Sequence, residues 1–155
     1  MSTSRWAPNP QAREINALVT RAERLSWAEC EALRSARNEV WVSVPDEVWR
    51  AASRVVWNTG WYPLWEIARK AAWDAAWNAA QAAGEQNASH PFPWVKVSIR
   101  FEVSAAASEA DQAAGALFAR DLIDENTAWN QAAYDLLTGP WRRVVGSIHP
   151  AVEVL

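Results

Sequence analysis

Apolar side chains recur every three or four residues along most of the chain, which is the spacing of one face of an α-helix. The clearest stripes contain Ile15, Leu18, Val19, Ala22 and Leu25, then Val48, Trp49, Ala52, Val55 and Val56, then Trp129, Ala133, Leu136 and Leu137. Charged residues fill the positions between these stripes. The pattern predicts an all-α or predominantly α protein, folded as a compact bundle of about six helices.

Capping residues set the expected starts of the first two helices. Asn9 followed by Pro10 is typical of a helix start, with the asparagine as N-cap and the proline at the first helical position. Ser26 and Glu29 have the spacing of a capping box. We expect the second helix to run to about Asn38.

Prolines and glycines set the expected bounds of the next two helices. Pro45 should open a third helix that Gly60 ends as a C-terminal cap, after residues 40–44 that are either extended or a last helical turn. Pro63 should open the longest helix, which runs through Ala83 and is closed by Gly84.

The second half of the chain is expected to be less regular. Residues 85–93 are predicted to form a loop and residues 146–155 an irregular tail. A helix is expected over 104–123, Thr127 should cap the next helix, and Gly139 with Pro140 should end that one.

Residues 94–103 are open to two interpretations. Apolar and polar residues alternate there, and this local pattern favours a strand within a short β-ribbon. However, Val95, Ile99 and Val103 also share one face of a helix that Pro93 could begin, so a helix is the alternative.

Alanine and tryptophan form a four-residue repeat over 71–80. Paired alanines make a flat helix surface that a neighbouring helix can approach closely. Trp73 and Trp77 should stand along the edge of that surface. We therefore expect most of the twelve tryptophans in the chain to be core residues.

Composition bounds the class of protein. The chain has 155 residues, enough for one helical domain over 1–155, and a formal net charge of −3. Its single cysteine excludes an internal disulfide, and no stretch resembles a signal peptide or a membrane span. We expect a cytoplasmic protein without membrane association.

Charge is unevenly distributed along the sequence. Residues 1–84 contain ten basic and nine acidic side chains, whereas residues 85–155 contain five basic and nine acidic ones. Binding of nucleic acid by a basic patch is therefore not expected, because phosphate contacts require clustered Lys and Arg. The acidic half is either a solvated surface or a face for a basic partner.

Few residues could support catalysis or bind a metal or cofactor. Cys30 is expected on an apolar helix face and His90 and His149 in loops beside prolines, so nothing in the sequence brings the thiol and an imidazole together. No metal-ligand spacing occurs, so we expect neither a metal nor a cofactor. Asp121, Asp124 and Glu125 could form an acid–base group if they converged. We expect a protein that is not an enzyme.

Two groups of residues are candidate binding sites for a ligand or a partner. The junction of the third and fourth helices gathers Trp57, Trp61, Tyr62 and Trp65. A second group near the C-terminus consists of Trp141, Arg142 and Arg143. Aromatic and arginine side chains dominate the binding energy of many protein interfaces.

Two sequence blocks carry a resemblance to a group of proteins. They are Ala-Ala-Trp-Asp-Ala-Ala-Trp-Asn-Ala-Ala over 71–80, and Leu-Leu-Thr-Gly-Pro-Trp-Arg over 136–142 with Ile148-His149-Pro150. The chain resembles small, uncharacterised Ala/Trp-rich proteins of actinobacteria and their phages. The resemblance covers about a third of the chain and implies a helical fold and an origin in a mobile element. It implies no reaction.

Two functions remain open on the sequence. The first is a non-enzymatic helical protein that acts by contact with a protein partner or by self-association, directed at a host or defence factor if the resemblance holds. The alternative is a small-molecule binder with a tryptophan-lined pocket.

Overall fold

The fold is entirely helical in the residues that the computed structural model describes, which are Trp6, 9–41, 46–87 and 93–146. These contain six helices, with one 3-10 turn (Arg120–Leu122) before the last. The helices are α1 (Ala12–Ala22), α2 (Trp27–Trp41), α3 (Asp46–Thr59), α4 (Tyr62–Asn87), α5 (Pro93–Phe118) and α6 (Gln131–Val144). The predicted helical bundle is thus confirmed.

The ambiguous segment 94–103 is helical, so the strand that its local alternation favoured does not form. In a strand, Ile99, Phe101 and Val103 would share one face. Instead Val103 is buried and Ile99 half-buried, while Phe101 is 57% exposed. Glu102, which alternation would place opposite these residues, is buried and pairs with Arg34 of α2.

The centre of the bundle is an antiparallel pair formed by α4 and α5. Trp65 reaches Gly115, Arg69 pairs with Asp111, and Gly84 lies against Ile99, so the residue numbers run in opposite directions along the two helices. One alanine of each predicted pair on α4 is fully buried, as is Ala68 one turn earlier, and the other member is half-buried: the buried ones are Ala72, Ala76 and Ala80, and the half-buried ones are Ala71, Ala75 and Ala79. Buried alanines of α5 include Ala106, Ala110, Ala113 and Ala114. Such small side chains let two helices approach closely.

Two glycines are needed for close contacts between elements. A Cβ on Gly84 would lie 2.8 Å from Cγ2 of Ile99, and one on Gly115 would lie 2.8 Å from Cη2 of Trp49. The prediction that Gly84 closes the helix is wrong, since α4 continues to Asn87. Glu85, Gln86 and Asn87 of the predicted loop 85–93 are therefore helical, and residues 88–92 lie outside the described part.

The first two helix starts differ in how well the sequence predicted them. The capping box is confirmed, because the backbone N–H of Glu29 donates to Oγ of Ser26 and that of Ser26 donates to the Glu29 carboxylate. By contrast, α1 begins at Ala12, later than expected. The Oδ1 atom of Asn9 instead accepts from the N–H of Gln11, and its Nδ2 donates to the carbonyl of Phe118.

The last helix begins and ends later than predicted. Asn130, rather than Thr127, is the N-cap, and its Oδ1 accepts from the N–H of Ala133. Gly139 and Pro140 lie inside α6. A glycine before the proline lessens the steric conflict that a Cβ would have with the proline ring in helical conformation. The glycine thus removes one of the obstacles to continuing the helix past Pro140.

The remaining helices surround the central pair. The buried side chains form one hydrophobic cluster to which all six helices contribute. α1 packs on both α4 and α5, α2 and α6 pack on α5, and α3 packs mainly on α4. In the described residues, no helix is both long and apolar enough to cross a membrane. The predicted tail beyond Gly146 lies outside these residues, and a single domain over 1–155 stays a prediction.

Candidate functional site

The junction of α3 and α4 is a sharp, well-defined corner. Gly60 ends α3 with a φ of 80°, the left-handed conformation expected of a glycine cap. The hydroxyl of Thr59 donates to the carbonyl of Val56 and accepts from the N–H of Trp61. These two bonds fix the turn, so the aromatic residues on either side of it are held in one arrangement.

Four aromatic rings run from the surface at this corner into the core. Trp57 meets Tyr62 edge-on with ring centroids 5.0 Å apart, and Tyr62 lies 5.1 Å from Trp65. Trp65 in turn lies 5.4 Å from Trp49. We call Trp57, Tyr62, Trp65 and Trp49 the aromatic ladder. These separations are in the range of favourable aromatic contacts.

An arginine anchors the inner end of the aromatic ladder. The guanidinium of Arg69 lies 4.3 Å from the ring centre of Trp65 and 4.6 Å from that of Trp49. Its Nε and Nη2 donate to the two carboxylate oxygens of Asp111 at 2.8 and 3.2 Å. Burial raises the pKa of Asp111, and the hydrogen bonds and charge of Arg69 oppose that rise. Asp111 thus ties the ladder to α5.

The four residues predicted at the corner are brought together but differ in exposure. Trp57 is 66% exposed, whereas Trp65 is fully buried and its indole N–H donates to the carbonyl of Gly115. Trp61 and Tyr62 are half-buried, and Trp61 meets Phe118 edge-on at 6.4 Å. Trp65 therefore supports the corner and offers no surface to a partner.

The second predicted group does not form one surface. Trp141 is buried in the core, so it cannot contact a partner, while Arg142 and Arg143 are exposed. Arg142 pairs with Asp135 at 3.3 Å on the same helix. The sequence placed the three residues together because they are adjacent in the chain, but on a helix adjacent residues face different directions.

The candidate acid–base group does not converge. Asp121, Asp124 and Glu125 are all exposed. Oδ1 of Asp124 accepts from the N–H of Asn126, and Oε1 of Glu125 accepts from the N–H of Gln131. The carboxylates of Asp124 and Glu125 thus stabilise the turn before α6, and none of the three acids is buried in a cleft.

Cys30 is a core residue rather than a nucleophile. Burial raises the pKa of the Cys30 thiol to about 12, and Glu29, Glu102 and Glu31 add to that rise. A thiol with this pKa carries no appreciable thiolate near neutral pH. His90 and His149, the other members of the candidate nucleophilic group, lie outside the described residues. No group of metal-ligating side chains occurs in the described part of the chain.

Two acidic residues of α5 are buried, which the sequence pattern did not predict. Glu102 and Glu109 lie seven residues apart on α5, opposite Arg34 and Arg37 of α2. The distance between Arg34 Nη1 and Glu102 Oε1 is 2.6 Å, and that between Arg37 Nε and Glu109 Oε1 is 3.9 Å. The two arginines lie three residues apart and the two acids seven, so no matching spacing in the sequence signals this pairing.

A groove between α4 and α5 was also not predicted. It has a volume of about 670 Å³. Its described lining consists of Trp77, Gln81, Glu85, Ile99, Arg100, Val103 and Ser104. The indole N–H of Trp77 donates to Gln81, whose amide donates to Glu85, so one wall carries a hydrogen-bonded row of polar groups.

No protein-family model, curated protein or solved structure matches this chain.

Proposed function

We propose that this protein acts by binding another protein through the α3–α4 corner, with Trp57 as the anchor. One observation carries the proposal. Trp57 is two-thirds exposed, yet its ring is held against Tyr62, which in turn contacts the fully buried Trp65. No reaction is part of the proposed function.

An indole held in this way is suited to binding. Tryptophan is enriched among the residues that contribute most to interface affinity, because it buries a large area in one side chain. A ring that is already ordered loses less conformational entropy when a partner covers it. Trp61 and Tyr62 would lie at the edge of the contact, while Trp65 keeps it rigid.

The resemblance to Ala/Trp-rich proteins of actinobacteria and their phages suggests which partner to seek. A protein from a mobile element meets the proteins of its host cell, so we include host and defence factors among the candidate partners. This extension rests on the two sequence blocks alone.

The test compares two single-tryptophan variants in affinity capture from a host lysate. Trp57→Ala should abolish recovery of a specific protein that the wild type retains. Trp73→Ala is the matched control, because Trp73 is a half-buried indole on α4 that stacks on Trp77 away from the corner. The proposal fails if Trp57→Ala retains the same proteins as wild type, or if both variants lose them equally.

A small-molecule binder is the second candidate, and the groove between α4 and α5 supports it. Its volume lies in the range of ligand pockets, and it combines apolar and polar walls. A ligand there should change the fluorescence of Trp77, and Ser104→Trp should fill the groove and abolish the change. An undiminished response in Ser104→Trp would remove this candidate.

A further inference from the structure

The exposed anchor lies on a helix face that also carries two arginines. Arg50, Arg54 and Trp57 follow one another at intervals of four and three residues, which places them on one side of α3. All three are exposed, whereas Ala52 and Val56 on the opposite side are fully buried. We call Arg50, Arg54 and Trp57 the α3 face.

Both arginines of the α3 face lack a polar partner among the described residues, as no ion pair or hydrogen bond involves either guanidinium. Elsewhere, Arg34, Arg69 and Arg120 each pair with a carboxylate. Two uncompensated cations beside a rigid exposed indole make a surface with both a charge and an apolar anchor. Arginine is also the cation best suited to pair with a carboxylate, since it can do so bidentately.

Two exposed acids share this side of α3, because Asp46 and Glu47 precede Arg50 by four and three residues, but neither forms an ion pair with Arg50 or Arg54. Asp46 and Glu47 occupy the first turn of the helix, where carboxylates interact favourably with the positive end of the helix dipole. Arg54 and Trp57 lie two turns or more beyond Asp46. The basic character of the α3 face is therefore concentrated next to the corner.

We infer that the α3 face docks an acidic protein surface, in which carboxylates pair with Arg50 and Arg54 while an apolar or aromatic site receives Trp57. The inference rests on the proposed function and adds the chemistry of the partner. A nucleic acid fits this surface less well, because two arginines make few phosphate contacts and the chain carries a net charge of −3.

The test uses a random copolymer of glutamate and tyrosine as an acidic aromatic probe, titrated into the protein by calorimetry at low salt. A copolymer of lysine and tyrosine is the charge-reversed probe. Only the acidic copolymer should bind. Arg50→Glu with Arg54→Glu should weaken its binding about tenfold or more, and Trp57→Ala should also weaken it.

The matched control is Arg13→Glu with Arg24→Glu. These two arginines are also exposed and have no side-chain ion pair with a described residue, and the double substitution changes the net charge by the same amount. Binding of the acidic copolymer should be nearly unchanged in this control. If the two double variants weaken binding of the acidic copolymer equally, the effect comes from the change in net charge and not from the α3 face, and the inference is wrong.

Other outcomes also overturn the inference. Equal binding of the lysine copolymer, or tighter binding of a single-stranded oligothymidylate that depends on Arg50 and Arg54, would do so. Sedimentation would also overturn it if the wild type is a dimer and the variant with both Arg50→Glu and Arg54→Glu is a monomer.

The failure of this inference can be distinguished from the failure of the proposed function. If Trp57→Ala abolishes capture of a partner while the arginine substitutions leave copolymer binding intact, the proposed contact stands and only the acidic class of partner is wrong. If Trp57→Ala changes neither measurement, both proposals fall.

Discussion

At the scale of single residues, Glu109 is a buried carboxyl group whose environment disfavours its charged form. It is about 1% exposed, and Arg37 of α2 is the charged group that acts on it, at 3.9 Å. Its Oε2 has no hydrogen-bond partner among the described atoms. Burial raises the pKa of Glu109 from 4.5 to about 7, and the charge of Arg37 only partly offsets that effect.

This raised pKa predicts a specific dependence of stability on pH. Between about pH 4.5 and 7 the folded state holds a proton that the unfolded state has lost, so the free energy of unfolding contributed by Glu109 falls as pH rises. Glu109→Gln should remove this slope and raise stability above pH 7 by about 1–3 kcal/mol. Urea unfolding at a series of pH values measures both effects.

Glu23→Gln is the control for this prediction, because Glu23 is exposed at the end of α1. It should leave the pH dependence of wild type unchanged. A Glu109→Gln variant with the same slope as wild type would show that the carboxyl is not buried as described.

At the scale of elements, the sequence predicted that helices exist better than where they end. The capping box at Ser26 and the glycine cap at Gly60 depend on neighbouring residues only, and both are confirmed. The same local rule predicts helix ends at Gly84 and Gly139, but both glycines lie inside helices. The role of Gly84 depends on the approach of Ile99 and Trp27, which local sequence does not reveal.

Gly115 of α5 lies against side chains of both α3 and α4, so we predict that Gly115→Ala destabilises the bundle. The added Cβ would lie 2.8 Å from Trp49 of α3 and 3.3 Å from Cδ of Arg69 of α4. The free energy of unfolding should fall by about 1–3 kcal/mol, although alanine favours the helix intrinsically by about 1 kcal/mol. Thermal or urea unfolding measures the change.

A double variant tests the cause of that destabilisation. Trp49→Phe shortens the side chain that the new Cβ would meet, so Gly115→Ala should cost less in its background than in wild type. Equal costs in both backgrounds would contradict the assigned contact.

Arg69 joins α4 to α5 through Asp111 and to α3 through Trp49. Lysine keeps the charge but loses the bidentate hydrogen bonds and the planar contact with the two indoles. We predict that Arg69→Lys lowers the free energy of unfolding by about 1–3 kcal/mol. The adjacent Lys70→Arg, in an exposed pair with Asp74, should change it by less than about 0.5 kcal/mol. Urea unfolding of both variants decides whether Arg69→Lys is the more harmful.

At the scale of the whole molecule, the sequence predicted where the candidate site lies but not which of its side chains are exposed. It placed Trp57, Trp61, Tyr62 and Trp65 at one corner because Gly60 and Pro63 bracket a turn. Which indole faces outward depends on how α3 and α4 cross and on the position of α5 beneath them. The exposure of the arginines of the α3 face is not predicted for the same reason, since it depends on which side of α3 packs on α4.

The described tryptophans differ sharply in exposure. Trp65, Trp129 and Trp141 are buried packing residues, and the indoles of Trp65 and Trp129 donate to backbone carbonyls of Gly115 and Ala119. Trp57 alone among the described tryptophan side chains is largely exposed. The proposed function depends on this division, because a corner with no exposed indole would have no anchor.

Hydroxyl-radical footprinting read by mass spectrometry tests this division most directly. We expect Trp57 to be oxidised fastest among the described indoles, because it is the most exposed. The buried indoles of Trp65, Trp129 and Trp141 should be oxidised only after unfolding. Denatured protein gives the reference rate for each residue. If Trp57 in the folded monomer is protected to the same degree as Trp65, the exposed anchor does not exist and the proposed function is contradicted.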